Sequence, residues 1–195
     1  MARDARLSRK TNETRIEIQL DLDGTGKADI FTGIPFFDHM LTAFCVHGFF
    51  DLKIIAKGDL EVDLHHTVED TGLVLGQVFF SALGDKKGIQ RFGNNCVPMD
   101  EALSCVTIDL SNRPYLVYNF PDNLRSGTAF DAFLAKEFFQ AFCTEGRFNL
   151  HINAHYGTNE HHLLESVFKA MGRALQQATR IDDKIFGTLS SKGRL

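Results

Sequence analysis

Two short segments, HHTVED at 65–70 and HHLLES at 161–166, share the pattern HHxxE at an offset of 96 residues. Upstream of them, AFCVHGFFDLKI (43–54) matches AFCTEGRFNLHI (141–152) at an offset of 98, and a two-residue difference in the intervening loop accounts for the change. So long a match in the same order points to a doubling within one chain, which limits the fold to two like units packed on each other. The 195 residues suit halves of about 100 each. The expected repeats are 1–88 and 89–195, and the polar, glycine-containing DKKGIQRFGNN (85–95) is the expected joint.

Hydrophobic spacing supplies the elements. TRIEIQLDL (14–22) alternates Ile16, Ile18, Leu20 and Leu22 with polar residues, as a half-buried strand does. Pro35 suits the first position of a helix, and Phe37, Met40, Leu41 and Phe44 form its apolar stripe, with Gly48 as the expected stop. A strand is expected over Phe49 to Ala56, and a helix from His65 that carries Val74, Leu75, Val78, Phe79, Ala82 and Leu83. The second half repeats the pattern. Val106, Ile108 and Leu110 alternate, Tyr115 to Phe120 forms another strand, and helix, strand, helix follow at about 130–144, 147–155 and 161–179. A sheet carrying two amphipathic helices leaves a second apolar helix surface, which the other half covers. The expectation is an α+β chain, a tandem duplication with four helices enclosed between two mixed β-sheets, of the ribosomal protein S5 domain 2-like kind.

Imidazoles and carboxylates suit divalent transition metals. On a helix the Glu of HHxxE shares a face with each His, at i+4 and i+3, but the two adjacent rings point about 100° apart. One doublet therefore serves two ions better than one. His39 lies in the first helix, and the 98-residue offset selects Glu137 as its counterpart. Pseudo-symmetry then groups His39, His66, His161 and Glu165 around one ion, and Glu137, His162, His65 and Glu69 around another. Nitrogen and oxygen ligands with room for substrate suit Mn(II), with Zn, Fe, Co or Ni as alternatives. The H-E-x-x-H zinc protease pattern is absent.

A net charge of −4 gives no electrostatic reason to bind nucleic acid or an anionic membrane. No stretch reaches the roughly 20 apolar residues of a membrane span, and MARDARLSRK has no signal-peptide core, so a cytoplasmic location is expected. Cys45, Cys96, Cys105 and Cys143 form no C-x-x-C pair and read as small core residues in a reducing compartment.

The chain resembles the imidazoleglycerol-phosphate dehydratase family. The likeness runs through NET (12–14), LDGTG (22–26), IPFFDHML (34–41), DLHHTVEDTG (63–72), GIQRFG (88–93), MDEAL (99–103), DLSNRPYL (109–116), LHINAHYGTNEHHLLESVFKA (150–170) and SSKG (190–193). The resemblance implies a hydro-lyase of histidine biosynthesis, which converts D-erythro-imidazole glycerol phosphate to imidazole acetol phosphate. It implies two Mn(II) ions per active site, sites assembled between subunits, and a 24-subunit homo-oligomer. The metal ligands it carries over are His39, His65, His66, Glu69, His161, His162 and Glu165. Glu137 stands where some members have His. Glu13, Glu69 and Glu165 take catalytic roles. Glu13 resembles the family's substrate-contacting carboxylate, and His39, His47, His65 and His161 are its expected neighbours at the substrate. Arg91, Arg113 and Lys169, with Ser190, Ser191 and Lys192 of the tail, are implied to hold the phosphate. The expected chemistry runs through a metal-bound imidazolate that expels the C3 hydroxyl, giving a diazafulvene-like intermediate. His47 suits helix-end capping equally well. His151 and His155 receive no role, and Asp38, Asp100 and Glu101 read as structural. The rival readings are another metal enzyme on the same duplicated fold and an RNA-associated module, the latter disfavoured by the acidic charge.

Overall fold

A computed structural model of the chain describes residues 2–121, 124 and 129–195. The first half supplies strands β1 (Asp4–Lys10), β2 (Thr14–Asp21), β3 (Ala28–Phe31) and β4 (Asp51–Gly58), with helices α1 (Pro35–Gly48) and α2 (His65–Leu83). The second supplies β5 (Phe92–Met99), β6 (Ala102–Asp109), β7 (Tyr115–Asn119) and β8 (Asn149–Tyr156), with α3 (Ala132–Gly146) and α4 (Glu160–Thr179). The sheets have matching orders, β1-β2-β4-β3 and β5-β6-β8-β7. Each is antiparallel except for its last pair, β3 with β4 and β7 with β8.

Alternation sets the inner faces. Ile16, Ile18 and Leu20 of β2, with Leu52, Ile54 and Ala56 of β4, are buried under the helices, as are Val106 and Ile108 of β6 and Leu150 and Ile152 of β8. Helix α2 lies on β1 and β2 and faces α3, and α4 lies on β5 and β6 and faces α1. The helices are thus enclosed between the two sheets. Phenylalanines fill the centre: the Phe138 ring stands 5.2 Å from Phe37, 5.8 Å from Phe142 and 5.6 Å from Phe168.

Glycines set how closely the helices approach, and the repeat holds them in register. A Cβ at Gly76 of α2 would stand 2.7 Å from the Phe142 carbonyl oxygen and 2.8 Å from the Gly146 nitrogen of α3. A Cβ at Gly172, the counterpart of Gly76, would collide with the Phe44 carbonyl and stand 2.9 Å from the Gly48 nitrogen of α1. Helix α1 ends at Gly48 as expected, but Gly48 is not the residue that takes the left-handed turn out of it. That turn falls to Phe49, at φ 56°, and to its counterpart Arg147, at φ 55°. Gly48 and Gly146 are needed for packing, since any side chain there would strike the ring two residues on, Phe50 or Phe148.

Two expectations need correction. Cys45 and Cys143 are buried free thiols, but Cys96 and Cys105 form a disulfide. These two are register partners on adjacent antiparallel strands, on the outer face of the second sheet, where their side chains meet. The four cysteines thus give no uniform argument for a reducing compartment. The 85–95 segment is also more than a polar joint. Ile89 and Lys86 are buried, and Phe92 onward forms β5, an edge strand with Asn94 exposed and Asn95 turned to Arg173 of α4.

Lys86 holds the β6–β7 turn. Its Nζ donates to the Asn112 Oδ1 at 2.7 Å and the Leu110 carbonyl at 3.4 Å, and it lies 5.3 Å from the Phe80 ring centre. Burial, aided by the nearby Arg147 charge, brings its pKa down to about 8. The unfolded chain keeps that proton to about pH 10.5, so between these values the unfolded state binds more protons and stability rises with pH. Lys86→Met is expected to remove this rise, worth about 2 kcal/mol after solvent screening. Denaturant titrations of metal-free protein at pH 7.5 and 10 test it, and equal pH slopes in parent and variant would refute it. Burial pushes the Cys45 and Cys143 thiols up to about 11, which acts in the opposite sense, so the difference between parent and variant isolates Lys86.

Candidate active site

The histidines sit where helix starts place them. Thr32 donates its N–H and hydroxyl to Asp38 Oδ1, at 2.8 and 2.6 Å, pinning the first turn of α1 and the adjacent His39. Asn159 caps α4, its Oδ1 accepting the His161 N–H at 3.0 Å, and the Glu160 carboxylate accepts the Ala132 N–H at 2.9 Å. Asp63 accepts the His65 N–H at the start of α2. Both doublets thus occupy the first turn of a helix.

Because α1 packs on α4, His39 and His161 converge. The Nε2 of each lies 3.1 Å from one oxygen, Oε2 of Glu165, and the rings are 5.6 Å apart. Lys169 donates to the other oxygen, Oε1, at 2.6 Å. Glu165 is 7% exposed, and burial opposes its ionisation. Hydrogen bonds from Lys169 and His39, the Lys169 charge and His161 outweigh that, and hold its carboxyl near 2. An ionised carboxylate accepts only, so both Nε2 atoms carry protons here, and these protons point to the place a cation shared by the three groups would take. Among the described residues His39, His161 and Glu165 form the cluster able to hold a metal ion, with their ligand atoms all within 4.8 Å of one another. The donor set fits a divalent transition metal.

The other expected ligands do not join them within one chain. His65 Nε2 lies 3.3 Å from Glu69 Oε2 on the same helix. His66 turns away to Asp59, its Nδ1 3.1 Å from Oδ2, and that bond raises its pKa. His162 turns to Glu101, Nδ1 to Oε2 at 2.7 Å, and its Nε2 is 3.8 Å from Asp100. The Glu101 carboxyl is drawn down to about 2 by the His162 bond and by the Asn159 N–H. The grouping of His66 with His39, and of His162 with His65, is therefore not met inside a single chain. Asp59 holds the His66 ring and Glu101 the His162 ring away from those partners. Glu137, half-buried on α3, pairs with no ligand among the described residues.

Glu13 is exposed on the β1–β2 turn, where its N–H donates to Thr11 Oγ1, and its charge acts on His66. Asp70, next to Glu69, accepts from the Thr14 hydroxyl and pairs with Arg9, tying that turn to α2. His47 lies in the last turn of α1, where burial and the charges of Lys169 and Arg173 lower its pKa.

A second cluster gathers the expected phosphate cations. Asp109 accepts from Arg91 through both oxygens, at 2.7 and 3.1 Å, and from Arg113 at 3.4 Å. Arg91 Nη1 also donates to the Leu189 carbonyl at 2.8 Å, which fixes the tail. A cleft of about 370 Å³ is lined by Arg91, Lys184, Thr188, Ser190 and Ser191. The Lys192 N–H donates to Ser190 Oγ at 3.2 Å. Lys169 is not part of this cluster, because Glu165 holds it. The two clusters lie at opposite ends of α4: His161 opens the helix, and the Arg91 N–H binds the Ala178 carbonyl near its end. That places them about 26 Å apart along the axis.

The imidazoleglycerol-phosphate dehydratase family model matches residues 32–175. A dehydratase of that name from Syntrophobacter fumaroxidans is 55% identical over 193 residues, covering 99% of this chain and 98% of the relative. One from Desulfosudis oleivorans is also 55% identical, over 99% of both. This chain is a member of the imidazoleglycerol-phosphate dehydratase family. Solved dehydratases agree in fold. The Staphylococcus aureus structure superposes with a TM-score of 0.81 at 37% identity, covering 92% of this chain and 99% of that one. The Pyrococcus furiosus structure gives 0.84 at 35%, covering 97% and 100%. Membership of the dehydratase family thus joins the duplicated fold to the paired histidine helices. No helix among the described residues is long and apolar enough to cross a membrane.

Asp59, Asp109 and Glu101 were missed as partners of site residues. Asp109 opens the DLSNRP motif, and Glu101 stands in the same place before β6 as Glu13 does before β2, so the repeat held a signal for Glu101. Asp59 has no such signal.

Proposed function

We propose that this chain dehydrates D-erythro-imidazole glycerol phosphate to imidazole acetol phosphate as a cytoplasmic enzyme. It uses two Mn(II) ions per active site, and its sites are completed between subunits of a homo-oligomer of 24. The observation that carries the metal reading is the convergence of two imidazoles on one oxygen of a buried glutamate whose other oxygen is held by a lysine. His39, His65, His66, Glu69, His161, His162 and Glu165 would hold the ions, with Glu137 completing the second set. Once bound, a divalent cation makes a substrate imidazole more acidic and stabilises charge that develops on the ring.

The protein groups do the rest. Glu165 supplies anionic charge, and Lys169 fixes its orientation. Glu13, exposed and tied to α2 through Thr14 and Asp70, orients the diol and moves a proton at C2 or C3. Arg91 and Arg113, aligned on Asp109, hold the phosphate as forked donors. The substrate is only about 10 Å long by covalent dimensions. It cannot bridge two clusters about 26 Å apart in one chain. The phosphate cluster of one subunit therefore serves the metal cluster of another.

Metal analysis and the dehydration assay on one sample test this. Expected are bound manganese, turnover that EDTA abolishes and Mn(II) restores, and a large particle that breaks down on chelation, since ligands come from different chains. Manganese-loaded protein that leaves the substrate intact would overturn the activity. A metal-free particle of unchanged size would overturn the shared ligation.

A further inference from the structure

Each doublet has one ring held by a carboxylate from outside its own helix, and in both cases the bond is to the same atom of the second histidine. His66 Nδ1 lies 3.2 and 3.1 Å from the two oxygens of Asp59, and His162 Nδ1 lies 2.7 Å from Glu101 Oε2. An ionised carboxylate can only accept, so Nδ1 is a protonated nitrogen in both rings, and in the neutral ring Nε2 keeps its lone pair. That tautomer presents Nε2 to a cation.

The duplication does not account for the match. Glu101 immediately precedes β6, as Glu13 immediately precedes β2. Yet in the first half the ring is held by Asp59, just after β4, and the 98-residue offset puts Gly157 in its place in the second. The Glu13 carboxylate accepts no hydrogen bond among the described residues, whereas Glu101 also accepts the Thr158 and Asn159 N–H groups through Oε1, at 3.2 and 2.8 Å. The two halves thus reach one arrangement from different chain positions.

We propose that Asp59 and Glu101 are positioning residues that fix His66 and His162 as Nε2 metal ligands, and that Asp59 takes this task in the first half so that the Glu13 carboxylate stays available to the substrate. This rests on the metal reading above. It assigns work to two residues that touch neither ion nor substrate.

Glu101→Gln is the discriminating variant. The amide oxygen can still accept the Thr158 and Asn159 N–H groups, which turns the NH₂ toward His162. An NH₂ donates to Nδ1, so the ring proton moves to Nε2 and blocks ligation without unseating the α4 start. Mn(II) affinity is read by the EPR signal of free Mn(II) during titration of chelated protein, alongside its thermal midpoint. The expected result is a 10–100-fold weaker affinity for Glu101→Gln, an unchanged midpoint of the metal-free protein, and a smaller loss for Asp59→Asn, which keeps a weaker acceptor. Glu165→Gln serves as the control. If it loses Mn(II) while Glu101→Gln and Asp59→Asn bind as the parent does, the positioning roles are refuted and the metal site stands. If Glu165→Gln also binds as the parent does, the metal reading itself fails. Should Glu101→Gln not fold, Asp59→Asn alone decides, with parental affinity refuting the proposal.

Discussion

Glu165→Gln is expected to lower turnover by more than roughly 100-fold, because outer partners of a metal site alone are worth 10–100-fold and the role proposed for Glu165 lies inside that shell. Its two oxygens have distinct tasks: Oε2 faces His39 and His161, and Oε1 accepts from Lys169. An amide cannot perform both. If its oxygen stays with Lys169, an NH₂ group faces the place where a cation would bind. If it turns around, the NH₂ confronts the Lys169 ammonium. Either way the negative charge is gone. The subunit still folds, since α4 is anchored along its length by Leu164, Val167, Phe168 and Met171, all fully buried. Lys169 is not stranded, as its side chain keeps 21% exposure to water. Steady-state assays with circular dichroism of the same preparation decide the matter. A folded variant with turnover within a few-fold of the parent would remove Glu165 from the ligands.

The repeat made the architecture legible because both period-2 and helical patterns recur at nearly fixed offsets. What it hid were strands with little apolar content. β1 places only Ala5 and Leu7 toward the core, with charged or polar residues between them, and it is held partly by pairing of Arg6 with Glu17 and Arg9 with Asp70. β3 is four residues long, too short for alternation to register, and β5 begins inside a polar run. Each is an edge strand, buried on one side at most, where sequence carries the least hydrophobic signal. The same logic covers the site. Histidine doublets announce themselves, and the offset selects Glu137 as the counterpart of His39, though among the described residues the cluster that forms is His39, His161 and Glu165. Asp59 and Asp109 gain meaning only from the partner the fold brings to them, because a single carboxylate in a loop or at a strand end resembles any solvated charge. Cys96 and Cys105 were hidden for a related reason: nine residues apart in sequence, they become neighbours only once the hairpin register is known.

Two inactive subunits should make an active particle. Glu165→Gln spoils the cluster at the start of α4, and Arg91→Ala spoils the proposed phosphate cluster at its end, so each variant alone is expected to be nearly inactive. Along α4 these clusters are about 26 Å apart, beyond the reach of one substrate molecule. If each site draws its Glu165 from one chain and its Arg91 from another, random mixing during joint reassembly leaves about a quarter of sites with both groups intact in a symmetric assembly. Dissociating both variants with EDTA, mixing them equally and restoring Mn(II) should then return activity from near zero to about a quarter of the parent value. Reassembly of each variant alone controls for simple reactivation. Arg91 also binds Asp109 and the Leu189 carbonyl, so Arg113→Ala, whose guanidinium is more exposed and makes the longer contact, serves as an alternative partner in the mixture. A mixture that forms full-sized particles containing both variants yet stays inactive would show that one chain supplies both clusters to its own site. The path between them would then have to be shorter than the helix allows, and the role given to Arg91 and Arg113 would fail first.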